Sequence, residues 1–589
     1  MTDLQERPPQ GLSSTADGRL VPSAWHRARR RATVLRGSAS RGASGWVGAI
    51  AVTLLAFGMR VWHLGSPHRF AFDETYYAKD AWAMANFGFV RNYLDEVGGD
   101  KIDQAVLAGR TQGVWDEGPS MIVHPEVGKW LIALGEKAFG MDPFGWRIAS
   151  AVIGSLMVLV LIRLTRRLTG SALLGLVAGL LLAFDGLHFV LSRLALLDIF
   201  LAFFLLCGVS CLVNDRDWHR GRLADLIDPE APPGRGDGKG RWGPVRGVLW
   251  RPWLLLAGVS FGLALGTKWT AAYPLAAFGL LVWVWSAGAR RSFGVRWSLL
   301  RGAVVDGLPA FVQLVGVAFI VYVSTWTGWL INADEYERDL SSTQYTGFIA
   351  ENPCTGRGED RATDNVSDDD ARWPTATEPD ASGFGEATQS LRSLWYYHQD
   401  VYVFHTHYLN CSSHPYQSKP SGWLLDNRPV GVATDLDIAP GEQGCTAAEG
   451  SVCYRQVLLI GTPLLWWGAC AALIAAGVLW AGTRDWRYGV AIVGVLSTWL
   501  PWLLYDERPI FLFYAVACLP FMILAIALVM GKLIGPSRRP SPRRTIGVVV
   551  SGAFFVLVLL NFAYFYPILS YEVIPRTSWL NRMWFDRWI

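Results

Sequence analysis

Residues 46–82 read WVGAIAVTLLAFGMRVWHLGSPHRFAFDETYYAKDAW. The opening part, 46–65, is an apolar run of the length a spanning helix requires, about 20 residues. Asp73 and Glu74 follow just past its end. An ionisable pair beside the lipid is a functional candidate by default, because charge there is costly. It suits a reaction in which one substrate is anchored in the membrane and the other arrives from water. The plain alternative is a solvated loop acid, or a charge placed against a helix N-terminus.

Outward from this stretch, apolar runs recur near 147–168, 171–188, 194–213, 252–267, 269–286, 303–330, 455–481, 488–505, 510–531 and 545–566. The length rule then predicts about eleven spans, and an all-α polytopic membrane protein. Asp185, Gly186 and His188 interrupt the third run. Composition agrees: 51% of the 589 residues are hydrophobic and 17% charged, less charge than soluble chains carry. Many of the 29 tryptophans sit near run ends, as interfacial belts require.

The positive-inside rule orients the chain. Arg163, Arg166 and Arg167, the basic 214–251 loop, Arg290, Arg291 and Arg296, and Lys532 through Arg544 alternate correctly as cytoplasmic segments. The long 331–454 loop is acidic, with Asp334, Glu335, Glu337 and Asp368 to Asp370. The N-terminus is therefore expected in the cytoplasm and the C-terminus outside. Residues 1–45 read as a disordered basic tail without a cleavable signal. Such tails ahead of a span are topogenic, so no nucleic-acid partner is expected. A catalytic membrane module is expected over 46–330, including a first outer loop 66–146. A second outer loop, 331–454, and a C-terminal membrane module, 455–589, follow. Residues 353–390 read as flexible and 224–246, with APPGRGDGKG, as a linker.

Cys354, Cys411, Cys445 and Cys453 all fall in the second outer loop. Four cysteines in an oxidising compartment suggest two disulfides with three connectivities, and Cys445–Cys453 is favoured by proximity.

Four groups of residues carry candidate chemistry. The first is Asp73-Glu74, with Tyr76 and Tyr77 beside it. The second is His124-Pro125-Glu126-Val127-Gly128-Lys129-Trp130, where a turn aims His124 and Lys129 at one point or simply leads into an interfacial helix. The third is cationic: Arg147, Arg193 in SRLALLD with Asp198, and Lys268 in GTKWTAAYP. These cations either clamp an anionic head group or snorkel, and Arg193 and Asp198 alternatively pair with one another. The fourth is aromatic and His-rich: Trp395, His398, His405, His414, Trp423 and Arg428. It suits a sugar surface or an amphipathic helix on the membrane. The scattered histidine spacing fits no metal pattern, and no metal or cofactor is expected.

In order, FDETYYAKDAW, HPEVGKWLIALGEKAFG, GWRIASAVIGSLMVLVL, LLAFDGLHFVLSRLALLDIFLAFF, VSTWTGWL and YHQDVYVFHTHYLNCSSHPYQSKPSGWLLDNRPV resemble the actinobacterial type of protein O-mannosyltransferase. The resemblance covers most of the chain from residue 46. Where the family's signature is HPPLGK-like, this chain has Glu126 in place of a proline. The resemblance implies a GT-C glycosyltransferase fold (glycosyltransferase family 39) in the cell membrane. It implies a polyprenyl-phosphate-mannose donor and Ser or Thr hydroxyls of exported proteins as acceptors, with membrane lipids and the secretion translocon as further partners. The 331–454 loop is too short for the β-trefoil domain of eukaryotic members.

On that basis Asp73 is expected to be the base of a one-step inverting transfer, with Glu74 orienting the site or pairing an arginine. Arg147, Lys129, Lys268 and Arg193 are expected at the donor phosphate. His124, Tyr76, Tyr77, His398, His405 and Trp395 are expected to bind substrate. A related transferase acting on a lipid or cell-wall glycan shares the same donor chemistry. A lipid transporter should place its charges at mid-membrane within an inverted repeat, which is not seen. A scaffold leaves Asp73 unexplained.

Overall fold

The computed structural model describes residues 12–14, 20–22, 43–226, 242–243, 245–292, 295–341, 373–406, 408–535 and 540–589. Most of the 1–45 tail, the 227–241 linker, Cys354, His407 and the 353–372 stretch lie outside these residues, as do Asp368 to Asp370.

The apolar runs form helices. Among the described residues, seven are long and apolar enough to cross a membrane: Pro143–Thr169, Asp198–Leu226, Trp269–Ser292, Ser298–Ser324, Pro463–Thr483, Trp486–Leu504 and Pro542–Leu569. Four shorter apolar helices, Gly45–Val61, Ala172–Ala183, Pro252–Leu265 and Leu519–Ile534, fall on other runs. Local chemistry sets their ends. Asp142 caps the 143–169 helix by accepting from Gly145 N at 2.8 Å, with Pro143 in its first turn. Gly170 closes it in the left-handed region (φ 72°), and Ser171 at once caps the next helix. A two-residue reversal follows, which sequence periodicity alone leaves blurred.

The third run stops at Ala183 because Asp185 leaves the helix. Its carboxylate accepts from His188 N at 2.9 Å, Thr462 N at 3.0 Å and Trp466 Nε1 at 2.8 Å. It thereby caps the short helix Gly186–Leu191 and ties it to the start of the 463–483 helix. The run expected from 455 also differs. Cys453–Leu459 is a strand, paired antiparallel with Val430–Ile438 and with Ile574–Pro575, and the helix starts only at Pro463. The chain is mostly helical, then, with a few small sheets, and the strand Cys453–Leu459 of one of them is what an apolar-run count cannot distinguish from a helix start. Cys445–Cys453 is a disulfide across this hairpin.

The chain divides into two compact units, residues 1–50, 204–265 and 271–322, and residues 51–203, 266–270 and 323–589. In the first, buried charges are paired: Arg251 Nε donates to Asp215 at 3.0 Å, and Arg290 Nη2 to Asp306 at 2.8 Å. Unpaired, each would carry a penalty of several kcal/mol. The second unit holds every candidate site residue. There Asp435 of the sheet accepts from Arg69 at 2.8 Å, Arg455 at 2.6 Å and Tyr571 at 2.6 Å. The segment leading to Asp73 is thus fastened to the sheet.

Candidate active site

Asp73 occupies the N-cap position of the helix Glu74–Phe87, yet its side chain makes no capping hydrogen bond. The acid does lie at a helix N-terminus, but its carboxylate is not spent on capping. Its carboxylate instead accepts from Tyr77 Oη at 3.4 Å. Burial pushes its pKa up to about 6, against the pull of Lys268, with Asp198 adding to the rise and the Tyr77 hydroxyl opposing it.

Glu74 has the opposite fate. It is fully buried and its two oxygens take four hydrogen bonds: Arg147 Nε at 2.8 Å, Arg147 Nη2 at 2.7 Å, Ala71 N at 2.9 Å and Ala195 N at 2.9 Å. Arg147 is equally committed. Beyond Glu74 it donates to the carbonyls of Leu64 at 3.2 Å, Pro67 at 2.9 Å and Arg69 at 2.9 Å, which uses all five N–H groups of a guanidinium. As the structure stands it has none left for a phosphate. It clamps Glu74 and the turn before Asp73. Arg193 is likewise occupied, donating to the carbonyls of Met59, Arg60, Trp62 and His63, at 2.6 Å for Trp62. It satisfies the carbonyl end of the first helix rather than pairing Asp198.

The HPEVGK turn is pinned by Val127 N donating to Gly266 O at 2.8 Å. His124 and Lys129 part company there. Lys129 is buried against Asp80 at 2.8 Å, in the adjoining 74–87 helix. His124 lies parallel to His405 at 5.2 Å and tilted against Tyr77 at 6.3 Å. Burial, and then the charge of Lys268, hold His124 well below the usual imidazole range. Glu126, the residue that departs from the family signature, is buried and pushed up to about 7 by that burial.

Lys268 donates to both oxygens of Asp198, at 2.9 and 2.8 Å, and sits over the Tyr514 ring at 4.8 Å. His398 stacks on Trp269 at 5.2 Å. His405 Nε2 donates to Val123 O (2.9 Å), and its Nδ1 accepts from Arg508 Nη1 at 3.0 Å. Burial, then Arg508, push His405 down to about 3 and so keep it neutral. Phe72 packs edge-on to Phe511 at 5.2 Å and Phe513 at 5.6 Å, which brings the 505–517 segment to the start of the 74–87 helix.

The structure therefore gathers Asp73, Tyr77, His124, Lys268 and His405, with His398 beside them. It leaves Tyr76 and Trp395 outside, 55% and 64% exposed. No group of three or more potential metal ligands occurs among the described residues. Asp198 was singled out in the sequence, but as a partner for Arg193 and not for Lys268. Arg508 and Tyr514 were missed as members: Tyr514 sits inside an apolar run that reads as span, and Arg508 follows Asp506-Glu507 in a short polar stretch.

The same fold is found in a solved structure. A chain of the S. cerevisiae protein O-mannosyltransferase Pmt1–Pmt2 complex bound to the sugar donor matches with a TM-score of 0.63 at 14% identity, covering 99% of this chain and 97% of that one. Residues 50–222 match the profile of dolichyl-phosphate-mannose-protein mannosyltransferase, and 390–588 that of the C-terminal four-span region of protein-O-mannosyltransferase. A polyprenol-phosphate-mannose–protein mannosyltransferase of Mycobacterium tuberculosis is 34% identical over 553 residues, 92% of each chain. That of Mycolicibacterium smegmatis is 34% identical over 558 residues (93% of each), and that of Corynebacterium glutamicum 31% over 522 (88% of each). This chain belongs to the protein mannosyltransferase family.

Proposed function

We propose that this chain transfers mannose from polyprenyl-phosphate-mannose to Ser and Thr hydroxyls of exported proteins, at the outer face of the cell membrane and with inversion. The relatives' names give polyprenol-phosphate-mannose as the donor and protein as the acceptor. The observation that carries the mechanism is Asp73: a carboxylate at a helix N-cap, not spent on capping, beside Lys268 and neutral histidines. With a pKa near 6 it is ionised at neutral pH and still basic enough to accept a proton.

Asp73 takes the hydroxyl proton as the acceptor oxygen bonds to the anomeric carbon. The carbon–oxygen bond to phosphate breaks on the opposite side, and its electron pair leaves with the lipid phosphate. One displacement turns a β-linked mannose into an α-linked one. Lys268, held by Asp198 and the Tyr514 face, offsets the growing phosphate charge. Glu74 and Arg147 keep Asp73 in place. The alternating arginines support a site outside the cytoplasm, away from nucleotide sugars.

The test uses isolated membranes, radiolabelled polyprenyl-phosphate-mannose and a Ser/Thr-rich peptide, comparing wild type with Asp73→Asn. Labelled peptide with wild type and about 10²- to 10⁴-fold less with the variant is the expected result. A labelled lipid with an unlabelled peptide would move the acceptor to a lipid or glycan. Full activity in Asp73→Asn would remove Asp73 from the mechanism.

A further inference from the structure

The cations around Asp73 differ in what neutralises them. Lys268 faces Asp198, Lys129 faces Asp80 and Arg147 faces Glu74, all at 2.7–2.9 Å. Arg193 is used up on backbone carbonyls. Arg508 has a different set of partners. Its Nη1 meets the neutral His405 ring at 3.0 Å and the His405 carbonyl at 3.2 Å, and it bonds the Tyr514 hydroxyl. Its Nε is buried and has no partner. Among the described residues, no ion pair joins Arg508 to a carboxylate; its neighbour Asp506 pairs instead with Lys419 at 3.0 Å.

A buried, unpartnered guanidinium N–H is costly unless something completes it. Arg508 lies close enough to His124 and His405 to depress both imidazoles. It reaches the same Tyr514 ring that Lys268 covers. With Nε unpartnered, the guanidinium keeps a charged N–H donor free for a phosphate oxygen.

We infer that Arg508 is the principal phosphate-binding residue of this site: its open guanidinium edge grips the lipid phosphate, which Lys268 supports from the Tyr514 side. This rests on the transferase reading above. The donor phosphodiester carries one negative charge. When its bond to mannose breaks, the lipid phosphate gains a second charge and Asp73 gains the proton. Lys268 is already balanced by Asp198, so Arg508 supplies the uncompensated positive charge that the leaving group meets. The preference is then for the product phosphate over the donor, which aids the transition state.

The experiment uses the full chain reconstituted in phosphatidylcholine vesicles, with wild type, Arg508→Gln, Arg508→Lys and Asp73→Asn. It measures binding of polyprenyl phosphate, with neutral polyprenol as control, alongside mannose transfer and thermal unfolding. Arg508→Gln should weaken polyprenyl phosphate about 10- to 100-fold, with no change for polyprenol. Arg508→Lys should recover part of that loss, and Asp73→Asn should bind as wild type while failing to transfer. Unchanged polyprenyl phosphate affinity in a folded Arg508→Gln protein overturns the inference. An equal loss for polyprenol also overturns it, because the residue would then shape the lipid groove only. If wild type binds polyprenyl phosphate through Arg508 but makes no mannosyl peptide, the transferase reading fails and the phosphate site stands.

Discussion

Asp73 and Glu74 are sequence neighbours with different tasks, and mutation should separate them. Glu74→Gln leaves the fully buried Arg147 without its countercharge. It should cost about 3–5 kcal/mol of stability and be seen as a large fall in thermal unfolding temperature. Asp73→Asn should keep the unfolding temperature of wild type and lose only transfer. Similar unfolding losses in both would mean that the pair acts as one structural unit.

The pH profile follows from the same residue. Asp73 has a raised pKa, about 6, so its ionised form is the one the fold disfavours. Catalysis needs that form. Transfer should be flat above pH 6 and fall about tenfold per unit below it, read from kcat in vesicles. An inflection near the ordinary aspartate value of about 4 would contradict the burial argument. The acid pair was legible in the sequence as a candidate. The pairing of Glu74 with an arginine was expected too; that Arg147, Ala71 and Ala195 converge on that one carboxylate was not, because a sequence does not display which groups meet.

At the scale of elements, the site depends on how closely the Val127–Phe139 helix lies on the Pro143–Thr169 helix. Gly135 permits it: a Cβ there would press into the Gly145 carbonyl oxygen and sit 2.8 Å from Ile148 Cγ2. Gly135→Val should destabilise by about 1–3 kcal/mol. It should also lower transfer by displacing the turn that carries His124, as compared by unfolding temperature and kcat. Helix positions were readable from apolar runs of the right length. The strand at Cys453–Leu459 was not, since a short buried apolar run has no distinguishing period. The cations were readable as a set, but not their partners. Arg147 and Arg193 looked available for a phosphate because a sequence does not display the backbone carbonyls they satisfy.

Across the whole molecule, the arginine-rich segments between helices argue for one orientation. A tag placed before residue 1 should be protected from protease in intact cells, and one placed after Ile589 should be cleaved. The reverse pattern would put Asp73 among cytoplasmic nucleotide sugars and undo the choice of donor. The site draws on residues 73, 124, 198, 268, 405, 508 and 514, nearly the full span of the chain. Synthesis runs from the N-terminus, so the base is inserted long before His405, Arg508 and Tyr514 exist. A copy that stops short of residue 405 would hold Asp73 and Lys268 with no His405, Arg508 or Tyr514 opposite them. On the proposed assignment, transfer is expected to begin only after the chain has grown past Tyr514.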